Sequence, residues 1–421
     1  MHARGLRSGF AMGGLMEDIV SQETAGLESA TATSVDEFWM REALRESMKS
    51  TGLSNPNPAV GCVIVRNGEL IAKGHTQAYG GLHAERHALS QVTDPRLLQG
   101  ATAYVTLEPC SHTGRQPPCV EALLESPIER FVIGRKDTDP RVNGNGIRRL
   151  MENRKKVRVG FLENEITAWN LPFFHSRNQD SIFFALKWAQ TLDGQLADDG
   201  GSSQWISGPE SRQYTHWLRQ RYDAIMVGAG TLLKDGPLLT VRDCDPVTRQ
   251  PFRIIYDPRG RCLDLDQQTV ARLEQSTFNG EAATVILVDP EVIAAKAVQS
   301  SLSLSVPIAP LVPAATVRES IEMTLRSPEI LQVCGKPLQS VFIEGGPKLL
   351  SEFLRGGNAD LIHCFIAPRL TGGSLNRVSP ERRLADASEY QLLSQHQLGG
   401  DVLIELVQPQ IWQSLTPGAN V

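Results

Sequence analysis

Cysteine is scarce in this chain: seven residues among 421, at positions 62, 110, 119, 244, 262, 334 and 364. An odd, thinly spread set makes no disulfide framework, which excludes the small cross-linked secreted scaffolds and favours a reducing compartment. No uninterrupted apolar run reaches the roughly 18–20 residues that cross a bilayer. Charge of one sign is equally lacking, since 42 Lys+Arg against 47 Asp+Glu leave a net −5. That balance argues against a protein holding nucleic acid by bulk charge, which needs a concentrated basic surface. Collagen, coiled coil and global disorder are excluded as well, because 21% charged and 41% hydrophobic residues are ordinary for a globular protein. What the chain has in quantity is glycine, 36 residues, and proline, 25, as in a loop-rich α/β protein. Its length implies two or three domains at about 150 residues each.

Residues 1–34 are rich in small residues and lack a sustained period. Arg4 and Arg7 precede a short apolar stretch, but Glu17 and Asp18 end it too early for a signal peptide, so a disordered extension is expected. From Asp36, a plausible N-cap, the residues Phe38, Met40, Ala43, Leu44 and Met48 recur at helical spacing. A turn cluster at 55–58 leads into a strand over Val60–Val65, and Asn67-Gly68 signals a hairpin into 69–72. His83–Leu89 reads as a helix, 103–107 and 131–134 as buried strands. A second series of short apolar strands begins at Phe183 and continues at 224–228, 253–256, 284–288, 340–344 and 402–406. Strands alternating with helices imply largely parallel sheets covered on both faces. Residues 264–282 and 289–315 carry little signal and are expected to be surface connections. The expected organisation is an extension at 1–34, a domain at 35–175, another at 180–410, and a tail at 411–421.

The densest chemistry lies in the first domain. His83-Ala84-Glu85 opens a helix, Pro109-Cys110 follows a strand, and Cys119 comes nine positions later. Imidazole and two thiolates suit zinc, and a catalytic zinc site uses three protein ligands with a fourth position left open. A metal so held lowers the pKa of its bound water. Glu85, two residues from a ligand, is placed to shuttle protons rather than bind metal, which is the logic of H-x-E with Pro-Cys in zinc deaminases. A structural zinc site would need a fourth protein ligand, for which His87 and His112 are the candidates.

The segment from Pro109 to Cys119, with its long C-x8-C loop, resembles the riboflavin-biosynthesis deaminase branch of the cytidine-deaminase superfamily. Asn57-Pro58-Ala59-Val60-Gly61, Gly74-His75 and Gly80 to Glu85 match the same pattern. Ala72, Gln116 and Thr138-Asp139 depart from it without touching a metal ligand or the proton shuttle. The resemblance implies hydrolytic deamination of 2,5-diamino-6-(5-phosphoribosylamino)pyrimidin-4-one. It also implies one catalytic Zn2+ on His83, Cys110 and Cys119, with Asn57 and His75 holding the ring or sugar.

In the second half, glycines end two strands at Gly228–Thr231 and Gly345–Lys348, where backbone amides can approach a phosphate. There is no G-x-G-x-x-G, so a Rossmann reading is unsupported. Lys187 to Gly194, Gln204 to Arg212, Val227 to Arg242 and Glu344 to Pro347, taken in order, resemble the reductase domain of the same bifunctional family, which has a dihydrofolate-reductase-like fold. The resemblance implies NADPH at Ala189, Trp205, Thr231, Asp235 and Gly346. It implies substrate at Lys187, Ser203, Arg212, Leu239, Arg242 and Glu344, and reduction of the ribosyl group to ribityl. Arg212 and Arg242 are candidates for the ribose 5-phosphate, which an Arg fork recognises bidentately. Lys187, Asp235 and Glu344 are the ionisable candidates for proton transfer; Gly236, beside Asp235, replaces a usual polar residue. A cytoplasmic homo-oligomer, dimeric or higher, is expected. Two competing readings are a reductase whose zinc domain is only a platform, and a nucleic-acid base deaminase with an accessory domain.

Overall fold

The computed structural model describes residues 35–114, 116–139, 142–296, 306–355, 357–372, 378 and 387–416. The extension expected over 1–34, and residues 417–421 of the expected tail, lie outside the described residues. Short apolar runs become strands that sort into two sheets. The first holds Gly61–Arg66 (β1), Glu69–His75 (β2), Thr102–Leu107 (β3), Arg130–Arg135 (β4) and Lys156–Val159 (β5), in the order β2-β1-β3-β4-β5. β3, β4 and β5 run parallel, while β1 is antiparallel to both its neighbours. The β1–β2 turn falls at Asn67 and Gly68 as expected, with φ of 52° and 80°, the positive values that a two-residue hairpin of this hand demands.

Helix Val35–Ser47 covers one face of this sheet, packing Met40, Ala43 and Leu44 on Val63, Tyr104 and Val132. Helices Ala84–Ser90 and Cys119–Glu125 cover the other, with Ala84, Ala88, Val120 and Leu123 buried against Cys62, Ile64 and Val105. Asp36 does not cap the first helix, which already begins at Val35. Its buried carboxylate instead accepts hydrogen bonds from Tyr104 Oη (3.0 Å), Arg130 Nη1 (2.9 Å) and Arg158 Nη1 (2.7 Å). A capping acid and a tertiary acid look alike in sequence, since both put a carboxylate at a helix start.

The second sheet holds Phe183–Thr191 (β6), Ala224–Gly228 (β7), Phe252–Tyr256 (β8), Thr284–Val288 (β9), Ile308–Pro310 (β10), Ser340–Glu344 (β11), Leu361–Ala367 (β12), Gln391–Leu398 (β13) and Asp401–Val407 (β14). The order is β10-β9-β8-β7-β11-β6-β12-β14-β13. It is parallel from β10 through β12, and β14 and β13 close it as an antiparallel edge.

Two segments expected to be plain connections are partly regular. Residues 264–282 contain helix Gln267–Glu274, capped by Asp266 Oδ1 accepting from Thr269 N at 2.7 Å. Residues 289–315 contain helix Pro290–Lys296 and the edge strand β10. Residues 411–415, assigned by sequence to a tail, belong to helix Pro409–Leu415, which buries Ile411, Trp412 and Leu415. This last helix returns to the first domain, where Leu415 O accepts from Arg135 Nη2 (2.5 Å) at the end of β4. A second tie joins Asn55 Nδ2 to Asp223 Oδ1 at 2.7 Å, and a third joins Thr248 Oγ1 to Thr51 O at 2.9 Å. Both fasten the loop preceding β1 to the second domain.

Candidate functional sites

His83 is extended, with φ −72° and ψ 163°, and sits at the N-cap of helix Ala84–Ser90, so Glu85 falls in the first turn. Cys110 lies just beyond β3, and Cys119 opens helix Cys119–Glu125. Three elements therefore converge. His83 Nδ1 stands 3.3 Å from Cys119 Sγ and 3.6 Å from Cys110 Sγ. Zn–S of about 2.3 Å and Zn–N of about 2.0 Å put the N and S corners of a tetrahedron roughly 3.5 Å apart, so the donor set fits zinc. Among the described residues these three form the one group of His, Cys, Asp or Glu close enough to hold a metal. His87 is not a fourth ligand: its Nδ1 lies 2.9 Å from Gln77 Nε2 and accepts from His75 N at 3.1 Å.

Hydrogen bonds from Cys119 and His83 pull the Cys110 thiol down to about 4, against its burial. Cys119 moves the opposite way, pushed up by sharing its proton with the Cys110 thiolate. Glu85 is only 4% exposed. Burial, then the negative charge of Cys110, pushes its carboxyl up to about 7.

Two acids with no local sequence signal hold the surroundings in place. Glu46 Oε1 bonds His75 Nδ1 at 2.8 Å and so orients that imidazole. Burial works against the Glu46 charge, but hydrogen bonds from His75 and Lys49 hold its carboxyl at about 2. Glu108, two residues before Cys110, accepts backbone N–H from Asp137 (3.2 Å), Gly144 (2.9 Å), Gly146 (2.9 Å) and Ile147 (3.2 Å). Gly146 and Ile147 open helix Asn145–Glu152, and a Cβ on Gly146 would stand 2.1 Å from Pro109 O, so only glycine lets this helix start close on the Cys110 segment. Replacing Glu108 by Ala strands these donors, and one buried unpaired donor costs about 1–3 kcal/mol. The expected result is a loss of about 2–4 kcal/mol in denaturant unfolding, with a raised KM for deamination. Unchanged stability would show that the loop needs no such anchor. Asn57 lies in the loop tied down by Asn55, and its own N–H bonds Ser54 O at 2.8 Å.

In the second domain a cavity of about 1660 Å³ opens at the carboxyl ends of β6, β11, β7 and β8, where open parallel sheets bind ligands. All the residues singled out from this half of the sequence line it: Lys187, Ala189, Ser203, Trp205, Arg212, Thr231, Asp235, Leu239, Arg242, Glu344 and Gly346. Helix Ala229–Asp235 follows β7 and helix Pro347–Arg355 follows the adjacent β11, so two helix starts meet side by side. A Cβ on Gly346 would reach within 3.5 Å of Thr231 Oγ1. Paired N-termini of this kind favour an anion such as a pyrophosphate.

Lys187 and Glu344 are register partners on β6 and β11. The Glu344 carboxylate accepts Arg219 Nε at 2.6 Å and Nη2 at 3.0 Å. Burial raises its pKa, but Arg219 outweighs this and holds it below the usual carboxylate range. A carboxylate gripped this way suits holding substrate, and its candidacy as a proton carrier falls for that reason. Burial lowers the Lys187 pKa, partly countered by Glu344. Asp235 ends its helix exposed. Arg212 Nη1 donates to Ser207 O at 2.7 Å and its guanidinium lies 4.6 Å over the Trp205 ring. Arg242 Nη1 bonds Thr240 Oγ1 at 3.2 Å. Arg219 and His216, one turn apart on helix Pro209–Arg221, also line the cavity. Nothing marks them in the sequence, where both pass for ordinary helix-surface residues.

A His–Cys–Cys donor set that fits zinc beside a buried glutamate, joined to a parallel-sheet domain with a cavity at two helix starts, is the arrangement of a two-domain deaminase–reductase. Comparison with known proteins gives the family. Residues 33–135 match the cytidine and deoxycytidylate deaminase zinc-binding region, and residues 183–404 match the RibD C-terminal domain. The riboflavin biosynthesis protein RibD of Actinobacillus pleuropneumoniae is 36% identical over 380 residues, covering 89% of this chain and 96% of that one. The RibD of Aquifex aeolicus is 37% identical over 342 residues, covering 81% and 89%. A crystal structure of the Thermotoga maritima diaminohydroxyphosphoribosylaminopyrimidine deaminase/5-amino-6-(5-phosphoribosylamino)uracil reductase superposes with a TM-score of 0.73 at 32% identity, covering 89% of this chain and 98% of that one. This chain belongs to the RibD family of riboflavin-biosynthesis proteins.

Proposed function

We propose that the chain catalyses two consecutive steps on one phosphoribosylated pyrimidine. The first is hydrolytic deamination of 2,5-diamino-6-(5-phosphoribosylamino)pyrimidin-4-one. The second is NADPH reduction of the ribosyl group of 5-amino-6-(5-phosphoribosylamino)uracil to ribityl. The observation that carries this reading is the convergence of His83, Cys110 and Cys119 on one point, with Glu85 beside them, in the same chain as the reductase cavity. A zinc site serving only as a platform would normally be closed by four protein ligands, so the reductase-only alternative is disfavoured.

When bound, zinc acidifies a coordinated water and NADPH supplies a hydride. The chain's own residues do the rest. Glu85 takes a proton from the attacking water and returns it to the leaving amine. Asn57 and the Glu46-oriented His75 hold the ring and sugar. In the reductase site Arg212 and Arg242 serve the phosphate, with Ser203, Leu239 and Glu344 shaping the substrate end. Ala189, Trp205, Thr231, Asp235 and Gly346 hold NADPH. Lys187, a half-buried amine in register with Glu344 on the neighbouring strand, holds or moves the proton near the sugar. The protein works in the cytoplasm as a dimer or higher assembly built through the reductase domain.

Chelation separates the two sites. Zinc-stripped protein is expected to lose ammonia release from the diaminopyrimidine substrate, yet still oxidise NADPH with the deaminated uracil substrate. Ammonia release persisting in metal-free protein would overturn the assignment of the first site.

A further inference from the structure

His216 is a cavity-lining residue that none of the roles above uses. It is 8% exposed, on helix Pro209–Arg221, and Nδ1 lies 3.0 Å from Thr240 O. The same carbonyl accepts Arg219 Nη1 at 2.8 Å, and that nitrogen stands 3.2 Å from His216 Nδ1. Arg219 Nη1 could donate to a bare Nδ1, but that arrangement would set the Nδ1 and carbonyl lone pairs against each other across 3.0 Å. The geometry therefore favours the tautomer with hydrogen on Nδ1, in which Thr240 O takes two donors and Nε2 is the end of the imidazole turned from this contact.

The surroundings argue that Nε2 stays unprotonated. Arg219 lies on the same helix, Arg242 on the following segment and Lys187 on β6, all lining the cavity with His216. Opposing them are Glu344, already gripped by the Arg219 fork, and Asp243, whose largely exposed carboxylate is 4.0 Å from Nε2 and 3.7 Å from Arg242 Nε. Burial, then the charges of Arg219 and Arg242, drive the His216 pKa down to about 4. This end of the cavity is rich in cations suited to a phosphate, and its carboxylates Glu344 and Asp243 already face Arg219 and Arg242. A sugar phosphate also brings hydroxyl donors, and each donor buried without an acceptor costs binding energy.

We propose that His216 is a further substrate-contacting residue of the reductase site, offering the unprotonated Nε2 of that tautomer as hydrogen-bond acceptor to a ribose hydroxyl of the substrate. The inference rests on the reductase reading above and adds one recognition contact to it.

The test uses the full-length protein labelled with 15N at histidine, the His216 signals being assigned from those that vanish in the His216→Gln variant. Ribose 5-phosphate is the probe and inorganic phosphate the control. An Nε2 resonance typical of an unprotonated imidazole that moves upfield with ribose 5-phosphate, and stays put with phosphate, supports the contact. No movement, or an equal movement with phosphate alone, overturns it. In kinetics, His216→Phe is expected to raise the KM for 5-amino-6-(5-phosphoribosylamino)uracil about tenfold, or roughly 1.4 kcal/mol, near the upper end for one neutral hydrogen bond. NADPH affinity, read by fluorescence titration, is expected to stay within about twofold. His216→Gln, which keeps an acceptor on a side chain of similar reach, is expected to restore most of the loss. Equal weakening of NADPH and substrate binding would mark His216 as merely structural and overturn the proposal. If the wild-type protein failed to oxidise NADPH with the uracil substrate, the reductase reading would fall instead, and the resonance test separates the two failures.

Discussion

Replacing Glu85 by Gln cuts ammonia release by roughly 10²–10⁴-fold, the range of general acid–base catalysis, while zinc content and NADPH oxidation stay at wild-type levels. The substitution keeps the shape of a side chain that is 4% exposed, so it opens no cavity. It removes no ligand atom, because the donor group is His83, Cys110 and Cys119 alone among the described residues. It removes only the capacity to take up and release a proton beside the metal. The second domain does not depend on it, since the reductase cavity is lined entirely by residues from 187 onward. Ammonia assays, metal analysis and NADPH absorbance on one preparation check all three parts. Deamination surviving the change would show that another group carries the proton.

Replacing Lys187 by Met cuts NADPH oxidation by a comparable 10²–10⁴-fold and leaves ammonia release intact. Methionine fills nearly the same volume, and Glu344 keeps its partner because Arg219 grips both carboxylate oxygens. Loss of activity therefore reports the missing amine rather than an unpaired buried acid. Burial lowers the pKa of Lys187, with Glu344 partly opposing. A group with a lowered pKa gives up its proton as pH rises through that lowered value. Wild-type kcat/KM for reduction is then expected to fall on the alkaline side before the ordinary lysine range near 10.4. Residual activity in Lys187→Met should show no such limb. A variant retaining wild-type activity would remove Lys187 from the chemistry.

The zinc site was legible in sequence because its chemistry depends on residue type at fixed local spacing. His83 and Glu85 share one turn, and the two cysteines flank one loop. Residues that orient it were not legible. Glu108 works through four backbone N–H groups of a loop and the helix start that follows it, some 30–40 positions away, and Glu46 meets His75 across the gap between a helix and a strand. Arg219 and His216 escaped notice for the same reason, since their partners Glu344 and Thr240 join them only when the sheet forms. Strands followed the apolar runs closely where they are buried on both faces, as in β7, β9 and β11. Helix Gln267–Glu274 was lost because only Val270 and Leu273 of it are buried, too few to set a period. The closing helix Pro409–Leu415 was lost similarly, since three apolar residues near a chain end signal nothing until they meet the first domain. Asp36 shows the opposite error, a residue whose local chemistry suggested a cap while its tertiary partners decided its role.

The central claim is that one chain performs both steps in sequence. The most direct measurement incubates the zinc-loaded protein with the diaminopyrimidine phosphoribosyl substrate and NADPH, following ammonia and NADPH together. Ammonia is expected to appear first, with NADPH oxidation following to the same molar total. NADPH oxidised without ammonia release, or ammonia released with no NADPH consumed, would contradict that claim.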